Sequence, residues 1–312
     1  MSKLQKNNLV AQSNDLVNAR FRITQNEFSL LAAMISLLEP NDKEFPVFTI
    51  GIKEISKILK INERNTFKEL DKVTDRLMKR VSRVWTPEGE YVKFTWLNNV
   101  RVNKEESLIS LQFDNFLKPY LLELKKRGNF TQYRLGQIVE FKSFYTSRIY
   151  GLLVENYRKK IYECDYSLDD FRQMMLGHKS TTYPLYKNFR NKVIDTAKRE
   201  LGEKDQETGL YKANLNFDLK TSRTGRKISR LIFTIKTQQT KPKPTSSTQT
   251  ETSQPTTNNS SKPQIILDYE AIGVTQKMVK PYLDQRGEQA LQNTLNKFNN
   301  DKAKGKITFY FF

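Results

Sequence analysis

The sequence predicts an α+β protein built of two tandem winged-helix domains, followed by a disordered linker and a short C-terminal tail. Three observations predict it. One order of elements (short helix, turn, longer basic helix, two β-rich strands) occurs twice in the first 236 of the 312 residues. The 53 Lys and Arg against 34 Asp and Glu leave a net charge of +19, which favours a polyanionic partner. From Thr237 to Gln264 there is no aliphatic or aromatic residue, and a segment that buries nothing cannot offset its ordering entropy. The expected boundaries are 1–132 for the first domain, 133–236 for the second, 237–264 for the linker and 265–312 for a small helical tail.

The first helix is predicted from Thr24, which stands three residues before Glu27 as in a capping box, with Phe28, Leu31, Ala32, Ile35 and Leu38 as its buried stripe and Pro40 as its end. A short strand near Val47 to Gly51 leads into a short helix over Glu54 to Lys60, a turn through Asn62 and a longer helix to Arg80. There Phe67, Leu70, Thr74, Leu77 and Val81 face inward and Lys68, Lys72, Arg76 and Lys79 outward, the outline of a helix-turn-helix. Two β-rich stretches broken by Pro87–Glu90 and Asn103–Ser107 supply the strands, and Val92, Phe94 and Trp96 form an alternating apolar face suited to the domain's own core or to a symmetric copy.

The second unit opens with one long helix over Tyr133 to Lys160, with Ile138, Phe141, Phe144 or Tyr145, Ile149, Leu152 and Leu153 inward, joining the two halves. A short helix capped by Ser167 follows, then a turn through His178, then a helix over Tyr183 to Leu201 with Pro184 in its first turn. On that helix Leu185, Tyr186, Phe189, Val193, Ala197 and Leu201 fall in one arc, and Lys187, Asn188, Asn191, Lys192, Lys198 and Arg199 in the other. Arg190, at the margin of the stripe, is a further candidate for contact with DNA, its alternative being a residue that snorkels along the apolar edge. Asparagines are poor helix formers, and beside cations they suit base edges and phosphates. Leu215, Phe217 and Leu219 face Leu231, Phe233 and Ile235 across two closing strands, with Arg223, Arg226 and Lys227 at the wing tip.

The chemistry that is missing narrows the function. A single histidine, His178, leaves no paired-histidine metal site, and no phosphate-binding glycine loop ends in Gly-Lys-Ser/Thr. No carboxylate pair stands out for two-metal chemistry. Cys164, alone in the chain, reads as a packing residue in a reducing compartment. We expect no enzyme activity, no cofactor and no metal. No apolar run approaches the roughly 18 to 20 residues that span a bilayer, and the first 20 residues lack a signal-peptide core, so a soluble, cytoplasmic protein is expected, with no membrane partner.

Tyr133, Leu135, Ile138, Ser143, Tyr145, Arg148, Tyr150 and Leu153 form a pattern with Tyr166, Leu168, Phe171 and Gly177. It continues through Tyr183, Phe189, Lys192, Val193, Ala197 and Glu200 to Gly225, Arg226, Ile232 and Phe233. It resembles the iteron-binding Rep family, the replication initiators of theta-replicating bacterial plasmids, over about Leu16 to Ile235. The resemblance implies two winged helices around a pseudo-twofold, the second reading most bases and the first touching DNA and forming a dimer interface. It also implies a monomer that binds origin repeats and helps open the origin, and a dimer that represses its own promoter. It says nothing of the tail, so recruitment of host replication proteins stays open.

On that footing Lys187, Asn188 and Asn191 face base edges in the major groove and Lys198 and Arg199 the backbone. Thr181 and Thr182 cap the helix or donate to a phosphate, and Arg223, Arg226 and Lys227 place a wing on phosphate or in a minor groove. Lys68, Lys72 and Lys79 are the first domain's candidates. A winged-helix transcriptional repressor with no replication role would use the same residues. A membrane-surface or scaffold protein would bind DNA without sequence preference.

Overall fold

The computed structural model describes residues 4–62, 65–85, 90–238 and 292–293. The expected linker and tail lie outside the described residues, apart from Thr237, Gln238, Gln292 and Asn293, as does the turn over 86–89.

The chain begins with a strand that local periodicity does not announce, β1 (Leu9–Ser13), followed by a one-turn helix α1 (Asn14–Val17) capped by the Ser13 hydroxyl. Helix α2 (Gln25–Ile35) starts at its capping box: the Thr24 hydroxyl accepts the Glu27 N–H at 3.3 Å, and the Glu27 carboxylate accepts the Thr24 N–H at 2.8 Å. It ends at Ile35, before Pro40, where the Ser36 hydroxyl turns back onto the Ala33 carbonyl at 2.7 Å. Every residue from Glu27 to Ile35 is buried, so α2 is a central helix and not an amphipathic one.

The first winged helix follows as β2 (Phe48–Gly51), α3 (Ile52–Leu59) and α4 (Thr66–Lys79), then β3 (Ser82–Trp85), β4 (Tyr91–Phe94), β5 (Leu97–Asn103) and β6 (Leu108–Phe113). Leu70, Thr74 and Leu77 of α4 are buried as expected and Phe67 partly so, but Val73 takes the core place assigned to Val81, which is exposed beyond the helix end. The strands make a sheet of order β2-β6-β5 and a separate hairpin, β3-β4. Phe94 and Trp96 are buried in this domain's own core, Trp96 with its indole N–H on Ser82 at 2.9 Å and edge-on to Phe21 at 5.0 Å. Val92, partly buried, packs against the same core.

Two one-turn helices, α5 (Lys118–Leu121) and α6 (Leu124–Arg127), lead to β7 (Phe130–Arg134), which pairs antiparallel with β1. The single long helix expected over Tyr133 to Lys160 is therefore a strand and two helices, α7 (Leu135–Glu140) and α8 (Phe144–Arg158). The break has a physical cause far along the chain. Phe141 is extended, Ser143 caps α8, and the Glu200 carboxylate accepts the N–H groups of Lys142 and Ser143 at 3.1 and 3.2 Å. Glu200→Ala is expected to lower stability by about 2 to 3 kcal/mol, as charge-assisted bonds to a buried break are lost, seen as a lower urea midpoint at unchanged slope.

The second winged helix comprises β8 (Glu163–Ser167), α9 (Leu168–Leu176), α10 (Tyr186–Phe189), a π-helical turn over Arg190–Ile194, α11 (Asp195–Leu201), β9 (Leu215–Thr224) and β10 (Lys227–Thr237). Ser167 caps α9 as predicted, accepting the Asp170 N–H at 3.1 Å. The sheet order β8-β10-β9 is the order of the first unit's β2-β6-β5, so the repeat seen in the sequence is a repeat of topology. Phe217 pairs with Ile235 and Leu219 with Phe233 across β9 and β10, and Gly225 turns the tip at a positive φ of 62°. Buried Cys164 sits on β8, its thiol pushed up to about 11 chiefly by burial. Helix α8 packs on α1, α2 and β7 on one side and on α11 and β9 on the other, and one continuous apolar core runs through both units.

Candidate nucleic-acid interface

The second unit's long helix is not a plain α-helix. Helical backbone runs from Tyr186 to Leu201, but Arg190–Ile194 closes as a π-turn, with the Asp195 N–H on the Arg190 carbonyl and the Thr196 hydroxyl on that of Asn191. A π-turn inserts a residue into the 3.6 period and rotates the rest of the helix. Val193 and Ile194 are both buried as a result, beside Phe189, Ala197 and Leu201. Lys187, Asn188, Arg190, Asn191, Lys192, Lys198 and Arg199 are all exposed. Among the described residues the side chains of Lys187, Asn188, Asn191, Lys192 and Arg199 make no hydrogen bond or ion pair. Arg190, about half exposed, reaches Asp195 at 3.4 Å. Lys198 shares Asp218 with Lys236 and lies 3.2 Å from that carboxylate, whose pKa is lowered by the two ammonium groups.

Three expectations fail at the start of this helix. Pro184 lies before the first turn and not in it, and the N-cap is Leu185, without a side-chain capping bond. Leu185 is extended, with φ −80° and ψ 134°, so its side chain leaves the apolar arc and is 66% exposed. Neither Thr181 nor Thr182 caps the helix. The Thr182 hydroxyl accepts from the Arg22 guanidinium at 3.1 Å, whereas Thr181 is exposed.

The wing carries its charges on the strand ends. Arg223 lies on β9 and Lys227 on β10, Arg226 stands at the tip, and all three are exposed. In the first unit Lys68, Lys72 and Lys79 lie on α4, Lys72 paired with Glu69 at 2.8 Å and Lys79 with Asp75 at 2.6 Å. Arg76 is solvent-facing as read, and its guanidinium also holds the fully buried Glu27 at 2.5 Å.

Sequence reasoning missed a seam between the units. Arg22 lies just before the α2 cap and reaches Thr182, while Arg80, at the end of α4, donates to the Arg22 carbonyl at 2.6 Å. The end of one basic helix and the approach to the other therefore meet at Arg22. Arg22 and Arg80 line a cleft of about 440 Å³ with Thr24, Phe144 and Tyr145. Arg20 adds bonds to Gln173 and Asp170 of α9 at 2.8 and 2.9 Å. The Arg20-Phe21-Arg22 alternation ahead of the capping box was the only local signal.

His178 lies in the turn after α9, 3.0 Å from Gln173, and among the described residues no group of three or more His, Cys, Asp or Glu could hold a metal ion. Among the same residues no helix is long and apolar enough to cross a membrane.

Comparison with known proteins places this arrangement. The family model "Initiator Replication protein, WH1" matches residues 9–154 and its companion "Initiator Rep protein, WH2" matches residues 167–235. The chain belongs to the initiator replication protein family. The α10–α11 helix thus stands in the family's WH2 unit and α4 in its WH1 unit. A replication initiation protein of Escherichia coli is 26% identical over 235 residues, covering 73% of this chain and 69% of that one. The crystal structure of the Pi initiator protein in complex with iteron DNA has the same fold, at a TM-score of 0.57 and 17% identity, over 74% of this chain and 98% of that one.

Proposed function

We propose that this initiator starts plasmid replication by binding the direct repeats of its origin as a monomer, reading bases with the α10–α11 helix and holding the backbone with the wing and α4. The observation that carries this is the exposed row Lys187, Asn188, Asn191 and Lys192, without partners among the described residues and set on a helix whose other face is locked into the WH2 core. Asn and Lys are the side chains that pair bidentately with adenine and with guanine in the major groove. The domain limits 1–132 and 133–236 express the same division of labour. Arg22 and Arg80 extend the basic surface across the seam, so both units share one stretch of backbone. The protein acts by binding and by helping to melt the duplex, in the cytoplasm, without catalysing a reaction.

Footprinting on the DNA flanking the gene tests the reading. Several protected direct repeats beside an AT-rich tract support it, and one palindrome favours a repressor alone. If about 6 to 10 phosphates are neutralised, log K should fall against log salt with a slope of roughly −5 to −9; a slope near −1 would rule out the two-unit footing. Self-repression as a dimer is part of the proposal. Val102, exposed on the sheet-edge strand β5, is the position to weaken self-association with Val102→Asp. Opposite changes in repeat binding and self-repression favour the initiator, and joint loss the repressor.

The described fold closes at Gln238, whose side chain donates to the carbonyls of Leu201 at 2.8 Å and Ala213 at 3.2 Å. A chain truncated after Gln238 is expected to keep cooperative urea unfolding and full repeat affinity. Loss of either would place part of the core beyond that residue.

A further inference from the structure

Leu185 is an expensive choice for its position unless its side chain meets something outside the chain. It is the most exposed of the large apolar side chains among the described residues, so the core gains almost nothing from it. It also occupies an N-cap, where Ser, Thr, Asp or Asn would satisfy a free helix N–H and leucine cannot.

The backbone is held on both sides of it. The Arg172 guanidinium donates to the carbonyls of Thr182 and Tyr183 at 3.3 and 2.5 Å and lies over the Phe189 ring at 4.9 Å. Tyr183 is thereby kept at φ +53°, which a bulky residue rarely adopts and which the following Pro184 makes rarer still. The Leu185 carbonyl then accepts the N–H groups of Asn188 and Phe189, both at 3.1 Å. Strain of this kind persists where the surroundings over-determine it, and it concentrates at ligand-contacting segments.

We infer that Leu185 recognises the C5-methyl group of a thymine in the bound repeat. This rests on the reading of α10–α11 as the helix that enters the major groove. The first residues of such a helix reach base edges, and the thymine methyl is the one apolar feature those edges present. Lys187, Asn188 and Asn191 supply the polar half of the code. Leu185, held outward beside them, supplies an apolar contact that a cytosine, which lacks the methyl, cannot make.

The test begins with in vitro selection of a preferred duplex from a random pool by the full chain. Each thymine of that duplex is then replaced singly by deoxyuridine, which keeps every hydrogen-bonding group and removes only the methyl. One position is expected to cost the wild type about 4-fold in affinity, the worth of one buried methyl group. The same replacement should cost Leu185→Ala nothing, and Leu185→Met should restore part of the sensitivity. A selected duplex with no Leu185-dependent deoxyuridine effect overturns the inference and leaves the functional reading standing. Equal loss by Leu185→Ala on selected and random DNA overturns it too, since Leu185 would then act only by shaping the loop. If no preferred sequence emerges, the functional reading itself fails. Unchanged urea unfolding of Leu185→Ala guards against a folding defect, and the deoxyuridine series on wild-type protein needs no variant at all.

Discussion

Asn191→Ala and Lys187→Ala should each weaken binding to the cognate repeat by about 1 to 3 kcal/mol, roughly 5- to 150-fold, while binding to random DNA stays nearly constant. Both side chains are exposed and have no hydrogen-bond or ion-pair partner among the described residues, so removing them costs the fold little, and the loss falls on the complex. The control is a residue assigned to phosphate. Arg199→Ala should weaken cognate and random binding alike and make the salt slope less steep by about one. Lys72→Ala should also weaken both alike but by less, because its ammonium is paired with Glu69 at 2.8 Å in the free protein. Lys198→Ala should show less, because in the free protein its ammonium already faces Asp218 and must leave that carboxylate to reach DNA. Arg190→Ala should fall between, since Asp195 competes for its guanidinium. Fluorescence anisotropy on the two duplexes at several salt concentrations separates these cases. A reversed pattern, with Lys72 selective and Asn191 not, would move base reading to the WH1 unit.

Where a feature depends on neighbours in sequence, the chain announces it. Thr24 and Glu27 need only their spacing to form a capping box, and β9 and β10 need only alternation to bury Phe217 and Phe233. Even the closing wing is legible, because Gly225 supplies the positive φ its turn requires. Features set by distant partners were not legible. The break between α7 and α8 is held by Glu200 from α11, and β1 exists as a strand because β7 pairs with it. A helical wheel drawn at 100° presupposes a uniform period, so it missed Ile194, which the π-turn brings into the core, and it buried Leu185, which is not helical at all. The row Lys187, Asn188 and Asn191 survived that error because it precedes or begins the π-turn. The motif residues behind the family resemblance are mostly structural here. Ser143 caps α8, the Tyr150 hydroxyl holds Asn214 at 2.8 Å, and the Tyr133 hydroxyl accepts from Gln12 at 2.6 Å.

Arg148→Met is expected to cost about 2 to 4 kcal/mol of stability and to loosen the joint between the two winged helices. Arg148 is buried on α8 with no carboxylate in salt-bridge contact among the described residues. Its guanidinium donates to the carbonyls of Ala19 at 2.6 Å, Leu16 at 3.4 Å and Met174 at 3.5 Å, and it lies 4.3 Å over the Phe21 ring. Leu16, Ala19 and Phe21 belong to the first unit and Met174 to α9 of the second, so one side chain ties both to α8. Burial pulls its pKa down to about 10, which still leaves the group charged at neutral pH. Two effects oppose each other on substitution. Methionine relieves the desolvation of a buried cation, and replacing such a charge by an apolar side chain of similar volume is sometimes neutral. It also strands the Ala19 carbonyl, weakens the satisfaction of two others, and removes a desolvated cation–π contact, losses worth about 1 to 3 and about 0.5 to 2 kcal/mol. The losses should win because carbonyl oxygens, unlike a carboxylate partner, cannot be neutralised by taking up a proton. A lower urea midpoint, with repeat affinity falling more than random-DNA affinity, would show that the tie sets the spacing of the two units on DNA. Wild-type stability in Arg148→Met would show that desolvation had cancelled the bonds, and that α8 packing alone holds the units together.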